Sequence, residues 1–137
     1  MSAKPAVLFI CVKNSGKSQM AAALLRHEVG DRVEIHSAGT RPGRSLNRQS
    51  MEALQEIGVS TGAEYPKPVD QELLARVDLL VLVGTEASLQ APDGVEARTW
   101  ATDEPSERGI EGMDRMRLIR DDIHARARAL AQELTPT

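Results

Sequence analysis

The chain has 137 residues and a formal net charge of −3, with 41% hydrophobic and 27% charged residues, a balance typical of one folded domain, which we expect to cover 1–137. The negative charge gives no general attraction to nucleic acid or anionic lipid. An aromatic content of 2% disfavours stacking on single-stranded bases. The sequence shows neither an apolar leader nor an apolar stretch of membrane-spanning length. We therefore expect a cytoplasmic protein that binds neither nucleic acid nor membranes.

Hydrophobic periodicity predicts strands that alternate with helices along the chain. The strands are expected at 6–10, 33–39, 77–83 and 97–100. The helices are expected at 18–29, 47–57, 69–75 and 110–133, with loops at 40–45, 64–68 and 102–106. This order is typical of a layered α/β domain. We expect a three-layer sandwich with a central four-stranded parallel sheet flanked by helices.

The last predicted helix has one apolar face and one charged face. Its apolar series is Ile110, Met113, Met116, Leu118, Ile119, Ile123 and Leu130, spaced as for a face that packs on a core. Its arginines, among them Arg117 and Arg120, alternate with acidic residues, a pattern typical of a solvated face.

Cys11 is the only cysteine of the chain, and it lies where the first predicted strand ends. A polar loop follows, and the next helix begins near Lys17 and Ser18; the loop residues are Val12, Lys13, Asn14, Ser15 and Gly16. The N–H groups of such a loop and of the first helical turn lack backbone partners, so they can bind an oxyanion. Together with the helix dipole and the Ser18 hydroxyl, they favour an anionic sulfur. The sequence therefore predicts that Cys11 is a nucleophile, that residues 12–17 bind an oxyanion and that Lys17 neutralises its charge.

Two other interpretations of this loop are open. Residues 11–18 match the nucleotide-binding pattern GxxxxGK[ST] except that Cys11 replaces the first glycine. That glycine allows a tight turn, and no later strand clearly ends in a magnesium-binding aspartate. Alternatively, Cys11 is a buried small hydrophobe, but this does not explain the polar residues beside it. No His/Cys cluster indicates a metal site.

Residues 7–21, Val-Leu-Phe-Ile-Cys-Val-Lys-Asn-Ser-Gly-Lys-Ser-Gln-Met-Ala, resemble the low-molecular-weight tyrosine phosphatase superfamily, whose signature is a cysteine, five residues, an arginine and a serine. Asn14 and Ser18 match it, whereas Lys17 stands where arginine is usual. The run Ser-Gln-Met-Ala at 18–21 resembles the arsenate reductase branch, as does Trp-Ala-Thr-Asp-Glu-Pro at 100–105. The resemblance implies that Cys11 attacks arsenate.

The resemblance also implies an acid that protonates the departing oxygen. It places this acid immediately before a proline, which here is Glu104, although aspartate is usual and Asp103 lies one residue earlier. Both residues stay candidates. Because a carboxyl group near a bound anion is harder to ionise, we expect the acid to have a raised pKa.

The thioredoxin-linked members of the branch carry two further cysteines after the central strand, whereas residues 83–90 contain none. The chain is more similar to the single-cysteine arsenate–mycothiol transferases. This similarity implies mycothiol as a co-substrate, no bound cofactor and a mycoredoxin that releases arsenite. The content of 13 arginines against 4 lysines is compatible with a mycothiol-making actinobacterium.

Two other functions are open. One is a low-molecular-weight tyrosine phosphatase, although Glu-Pro-Ser at 104–106 replaces the usual Asp-Pro-Tyr and the aromatic residues needed for its cleft are few. The other is a catalytically silent oxyanion-binding protein, which the departures at Lys17 and Glu104 favour.

Overall fold

Four strands and four α-helices occur along residues 4–136, which are the residues described by this computed structural model. The order is β1 (Ala6–Cys11), α1 (Lys17–Val29), β2 (Glu34–Gly39), α2 (Arg48–Gln55), α3 (Gln71–Arg76), β3 (Leu79–Val83), β4 (Glu96–Trp100) and α4 (Gly112–Leu134). Short 3-10 turns cover Gly30–Arg32 and Pro105–Arg108. In this part of the chain, no helix is both long and apolar enough to cross a membrane.

The four strands form one sheet in the order β2-β1-β3-β4, and every neighbouring pair is parallel. The carboxyl ends of all four strands therefore lie at the same edge. Helices cover both faces, which confirms the predicted three-layer sandwich. Because ligands of such sheets bind beyond the carboxyl ends of the strands, the end of β1 at Cys11 is a natural position for a site.

The side chains of β1 alternate between two hydrophobic cores. Val7 and Phe9 face the larger core, which α1, α2 and α4 cover, and Phe9 packs on Trp100 with ring centroids 5.4 Å apart. Leu8 and Ile10 face the smaller core, which contains Leu74 of α3. Burial on both faces explains why this strand is a continuous apolar run.

Two of the predicted boundaries that differ from the structure lie next to an aspartate. The helix predicted from Val69 begins at Gln71, since the Asp70 carboxylate accepts hydrogen bonds from the first helical amides and caps the helix. The strand predicted from Val77 begins at Leu79. There the Asp78 carboxylate accepts a 2.8 Å hydrogen bond from the Ala6 amide and ties the starts of β3 and β1 together.

Helix α4 departs from its predicted faces at two positions. Leu118, predicted to pack, is 39% exposed. Arg120, predicted to be solvated, is buried and donates 2.9 and 2.7 Å hydrogen bonds to the Ala53 carbonyl and to Glu56. The charge of Arg120 is compensated by Glu56, which is the condition for burying a guanidinium. The side of α4 that faces α2 is therefore partly polar.

The two faces of α4 predict unequal losses of stability on truncation. Replacing the fully buried Ile123 with alanine leaves a cavity, so the free energy of unfolding should fall by about 2–5 kcal/mol. Leu118→Ala on the same helix should change it by less than about 0.5 kcal/mol. Urea unfolding of both variants measures the difference, and equal losses would contradict this packing.

Candidate active site

The segment that follows β2 forms backbone hydrogen bonds with the loop between β1 and α1. The amides of Thr40, Arg41, Gly43 and Asn47 donate hydrogen bonds of 3.2, 2.8, 2.9 and 2.7 Å to the carbonyls of Cys11, Val12, Lys13 and Ser15, respectively. Gly39 allows the close approach, because a Cβ atom at that position would lie 2.7 Å from the Val12 carbonyl oxygen. The carbonyls of the loop therefore point outward.

Outward carbonyls leave the amides of the loop pointing inward. In a trans peptide the N–H of one residue points opposite to the carbonyl of the residue before it. The Asn14 amide shows this directly, because the Lys13 carbonyl is turned out and the Asn14 N–H donates to the Cys11 sulfur over 3.2 Å. The amides of Val12, Lys13 and Gly16 follow the same rule. The loop is thus a cup of N–H donors with the sulfur at its base.

Asn14 is the buried centre of this loop. Its backbone is left-handed, with φ of 53°, a conformation that asparagine tolerates better than most residues. Its Oδ1 accepts 3.0 and 3.1 Å hydrogen bonds from the Lys67 amide and the Gln19 side chain. Because a backbone amide can only donate, the orientation of the Asn14 side chain is determined. Its Nδ2 donates to Ser18 Oγ over 2.7 Å.

This orientation leaves the Ser18 proton available to the Cys11 sulfur. The Ser18 oxygen accepts from Asn14, so its own proton is free for the Cys11 sulfur, which lies 2.9 Å away. The sulfur therefore has two donors, the Asn14 amide and the Ser18 hydroxyl. Hydrogen bonds to the charged form favour that form, so the arrangement stabilises a thiolate.

The cations around the loop differ in their partners. Lys17, at the first position of α1, lies 3.7 Å from Glu86, which follows β3. Lys13, Arg41 and Arg44 line a cleft of about 490 Å³ beside the loop, and none of the three has a carboxylate within 4.0 Å among residues 4–136. Sequence reasoning missed Arg41 and Arg44, although their position directly after β2 was a signal.

The two candidate acids are each paired with an arginine. Asp103 accepts 2.7 and 3.1 Å hydrogen bonds from Arg108, and Glu104 accepts 2.8 and 2.7 Å hydrogen bonds from Arg115 of α4. The pair with Arg108 lowers the pKa of Asp103, and the pair with Arg115 lowers the pKa of Glu104 to about 2. The arginine pairs thus act in the direction opposite to the raised pKa that we expect for the acid beside a bound anion, and that expectation stays a prediction. The sequence did not reveal the two guanidinium groups as partners.

Within residues 4–136, no group of three or more His, Cys, Asp or Glu side chains is placed to hold a metal ion. The polar atoms brought to the edge of the sheet are instead the sulfur, the amides of the loop, and paired and unpaired cations. Such a set suits a tetrahedral anion that a cysteine attacks.

Fold and site together define a class, the α/β proteins that use a cysteine inside an oxyanion-binding loop. The family model of the low molecular weight phosphotyrosine protein phosphatases matches residues 6–137, and the chain belongs to this family.

Its similar relatives include several arsenate reductases. The arsenate reductase of Halalkalibacterium halodurans is 32% identical, over 94% of this chain and 96% of the relative. A thioredoxin-dependent arsenate reductase of Corynebacterium glutamicum is 33% identical with a TM-score of 0.82, covering 97% of this chain but 63% of that longer chain. The arsenate reductase of Archaeoglobus fulgidus is 28% identical with a TM-score of 0.74, over 91% of this chain and 98% of that one.

The hydrogen bond from Ser18 predicts a change in the reactivity of Cys11. In Ser18→Ala the thiolate loses one donor, and because a hydrogen bond to a charged group contributes about 1.5–3 kcal/mol, alkylation by iodoacetamide at neutral pH should slow about tenfold or more. Ser15→Ala is the matched control, since the Ser15 hydroxyl bonds only weakly to the Lys13 carbonyl, at 3.3 Å. Equal rates for the two variants would contradict the proton assignment.

The pair between Glu104 and Arg115 predicts a pH dependence of stability. The pKa of Glu104 is lower in the folded chain, about 2, than its ordinary value of 4.5. Its contribution is therefore complete above pH 4.5 and is lost as the pH falls towards 2. Between these pH values, the free energy of unfolding should fall less in Glu104→Gln than in the parent, as measured by urea unfolding. Glu107 is an exposed residue of the same turn. In the control variant Glu107→Gln the free energy of unfolding should fall by the same amount as in the parent.

Proposed function

We propose that this protein is an arsenate reductase that passes arsenic from Cys11 to an external thiol. The observation that carries the proposal is the position of the one cysteine of the chain, whose sulfur lies in the cup of loop amides and accepts hydrogen bonds from Asn14 and Ser18. Relatives at 32 and 33% identity that are named arsenate reductases support arsenate as the oxyanion.

In the first step the Cys11 thiolate attacks arsenic. A sulfur–arsenic bond forms and one arsenic–oxygen bond breaks, and the departing oxygen takes up protons and leaves as water. Arsenic stays in the +5 state. The inward amides of the loop and the Lys17 ammonium bind the remaining oxygens, where their fixed dipoles need no reorganisation.

The external thiol in this proposal is mycothiol. Its thiolate attacks arsenic and displaces Cys11, which gives a mycothiol–arsenate conjugate and restores the enzyme. A mycoredoxin thiolate then attacks the sulfur of the conjugate. The electron pair of the sulfur–arsenic bond stays on arsenic, which becomes arsenite, and a mixed disulfide forms. The absence of a second cysteine among the 137 residues supports this route, because no internal disulfide can take the two electrons.

The distribution of aromatic side chains argues against aryl phosphates as preferred substrates. Phe9 and Trp100 are buried in the core, and Tyr65, 64% exposed, is the remaining aromatic residue of the chain. A substrate ring therefore has at most one exposed aromatic side chain of this chain to stack on. A phosphatase activity is still the natural comparison, because the same nucleophile attacks phosphorus.

The test follows arsenate consumption with purified protein, mycothiol and mycoredoxin. Turnover should require all three components, and intact-mass measurement should detect an arsenic adduct that disappears when mycothiol is added. Cys11→Ser should lower turnover at least about 10³-fold, as expected for loss of a nucleophile, while inorganic phosphate still binds.

Three results would decide against parts of the proposal. Turnover with thioredoxin and no mycothiol would contradict mycothiol as the external thiol but would still support an arsenate reductase. Faster hydrolysis of p-nitrophenyl phosphate than reduction of arsenate would favour the phosphatase. An unchanged arsenic-resistance phenotype in Cys11→Ser would favour a silent oxyanion-binding protein.

A further inference from the structure

A second cavity lies between the loop and α4. It has a volume of about 200 Å³ and is lined by residues of the loop, of the start of α2 and of α4, among them Lys13, Gly16, Lys17, Ser50, Arg115 and Met116. The loop thus shares this cavity with one guanidinium group, that of Arg115. Arginine is otherwise missing from the described lining.

Arg115 presents two parallel donors, and Glu104 occupies both of them. Nε donates to one carboxylate oxygen over 2.8 Å, and Nη2 donates to the other over 2.7 Å. Two oxygens of a tetrahedral oxyanion match the same fork. Lys17 has no such fork, and its ammonium is directed at Glu86, 3.7 Å away. Lys17 therefore offers an oxyanion no bidentate contact.

We propose that Glu104 occupies the two hydrogen-bond donors of Arg115 that bind the substrate oxyanion during the reaction. On this proposal, which rests on the proposed function, a tetrahedral dianion entering the loop takes over the fork of Arg115 and releases Glu104. The released carboxyl takes a proton from solvent. It then gives this proton to the oxygen that leaves arsenic, so that water departs and the carboxylate returns to Arg115.

Two features restrain Glu104 after the oxyanion has replaced it on Arg115. The Ser106 amide and hydroxyl donate to Glu104 Oε2 over 3.3 and 2.8 Å, independently of Arg115. The turn that carries both residues follows β4 at the same edge of the sheet as Cys11. The Ser106 hydrogen bonds therefore restrain the acid at this edge of the sheet after it loses its ion pair.

The exchange also resolves the protonation state of the acid. Paired with Arg115, Glu104 has a pKa of about 2 and cannot donate a proton at neutral pH. Loss of Arg115 removes the largest cause of this lowering. The Ser106 hydrogen bonds still lower the pKa of Glu104, whereas a neighbouring dianion raises it. The other charged groups near the pair are Asp103, which Arg108 binds, and Glu86 and Glu111, which face Arg115.

Calorimetric titration with inorganic phosphate tests the exchange. Arg115→Gln should weaken phosphate binding about tenfold or more, since a charge-assisted pair of hydrogen bonds is lost. Glu104→Gln should have the opposite effect and tighten binding several-fold, because a neutral amide competes poorly for Arg115. The same variant should lower arsenate turnover, since the acid is gone. A purely structural ion pair predicts weaker binding in both variants.

Arg117→Gln is the matched control, because Arg117 forms an equivalent pair with Glu56 on the same helix. It should leave phosphate binding unchanged, and urea unfolding checks that all variants are folded. The double variant Glu104→Gln/Arg115→Gln should bind phosphate as weakly as Arg115→Gln. Weaker or unchanged binding in Glu104→Gln, or equal binding in the two arginine variants, would overturn the proposal. Phosphate binding needs no thiol, so its outcome is separate from that of the reductase assay.

Discussion

The site depends on one buried amide, the side chain of Asn14. Its left-handed backbone turns the loop back over the end of β1, and its Oδ1 is bound by the Lys67 amide and Gln19. With that oxygen bound, Nδ2 donates to the Ser18 oxygen, and the Ser18 proton is available to a Cys11 thiolate. A reactive sulfur is thus prepared by groups without net charge, which keep their geometry whether or not an anion is bound.

Charge around the loop is arranged in two different ways. Arg108 and Arg115 are each held by a carboxylate of the turn after β4, whereas Lys13, Arg41 and Arg44 have no carboxylate within 4.0 Å in the described part of the chain. The unpaired cations give an acidic protein a local attraction for anions. The paired cations, Arg108 and Arg115, favour the ionised form of the candidate acids. In the proposed exchange, binding of an oxyanion to Arg115 is therefore coupled to protonation of Glu104.

A single thiol decides the kind of chemistry this fold can support. When Cys11 alone bonds to arsenic, breaking that bond by a second internal cysteine is excluded, and the two electrons must come from other molecules. A route in which Cys11 acts only as a transferase leaves its sulfur unoxidised. The proposed cycle has this property, because oxidation takes place on the mycothiol sulfur after the conjugate has left Cys11.

Local patterns in the sequence were sufficient for the fold and for a prediction of part of the site. Apolar runs and their spacing predicted the strands and helices, and Cys11 followed by a polar loop predicted the oxyanion cup, because neighbours in the chain build both. The partners of Asp103 and Glu104, the burial of Arg120 and the exposure of Leu118 were decided by tertiary structure. These features depend on how α4 packs against α2 and the turn after β4. The local sequence around a charged or apolar side chain is the same whether that side chain contacts solvent, a carboxylate or the core, so it does not predict the contact.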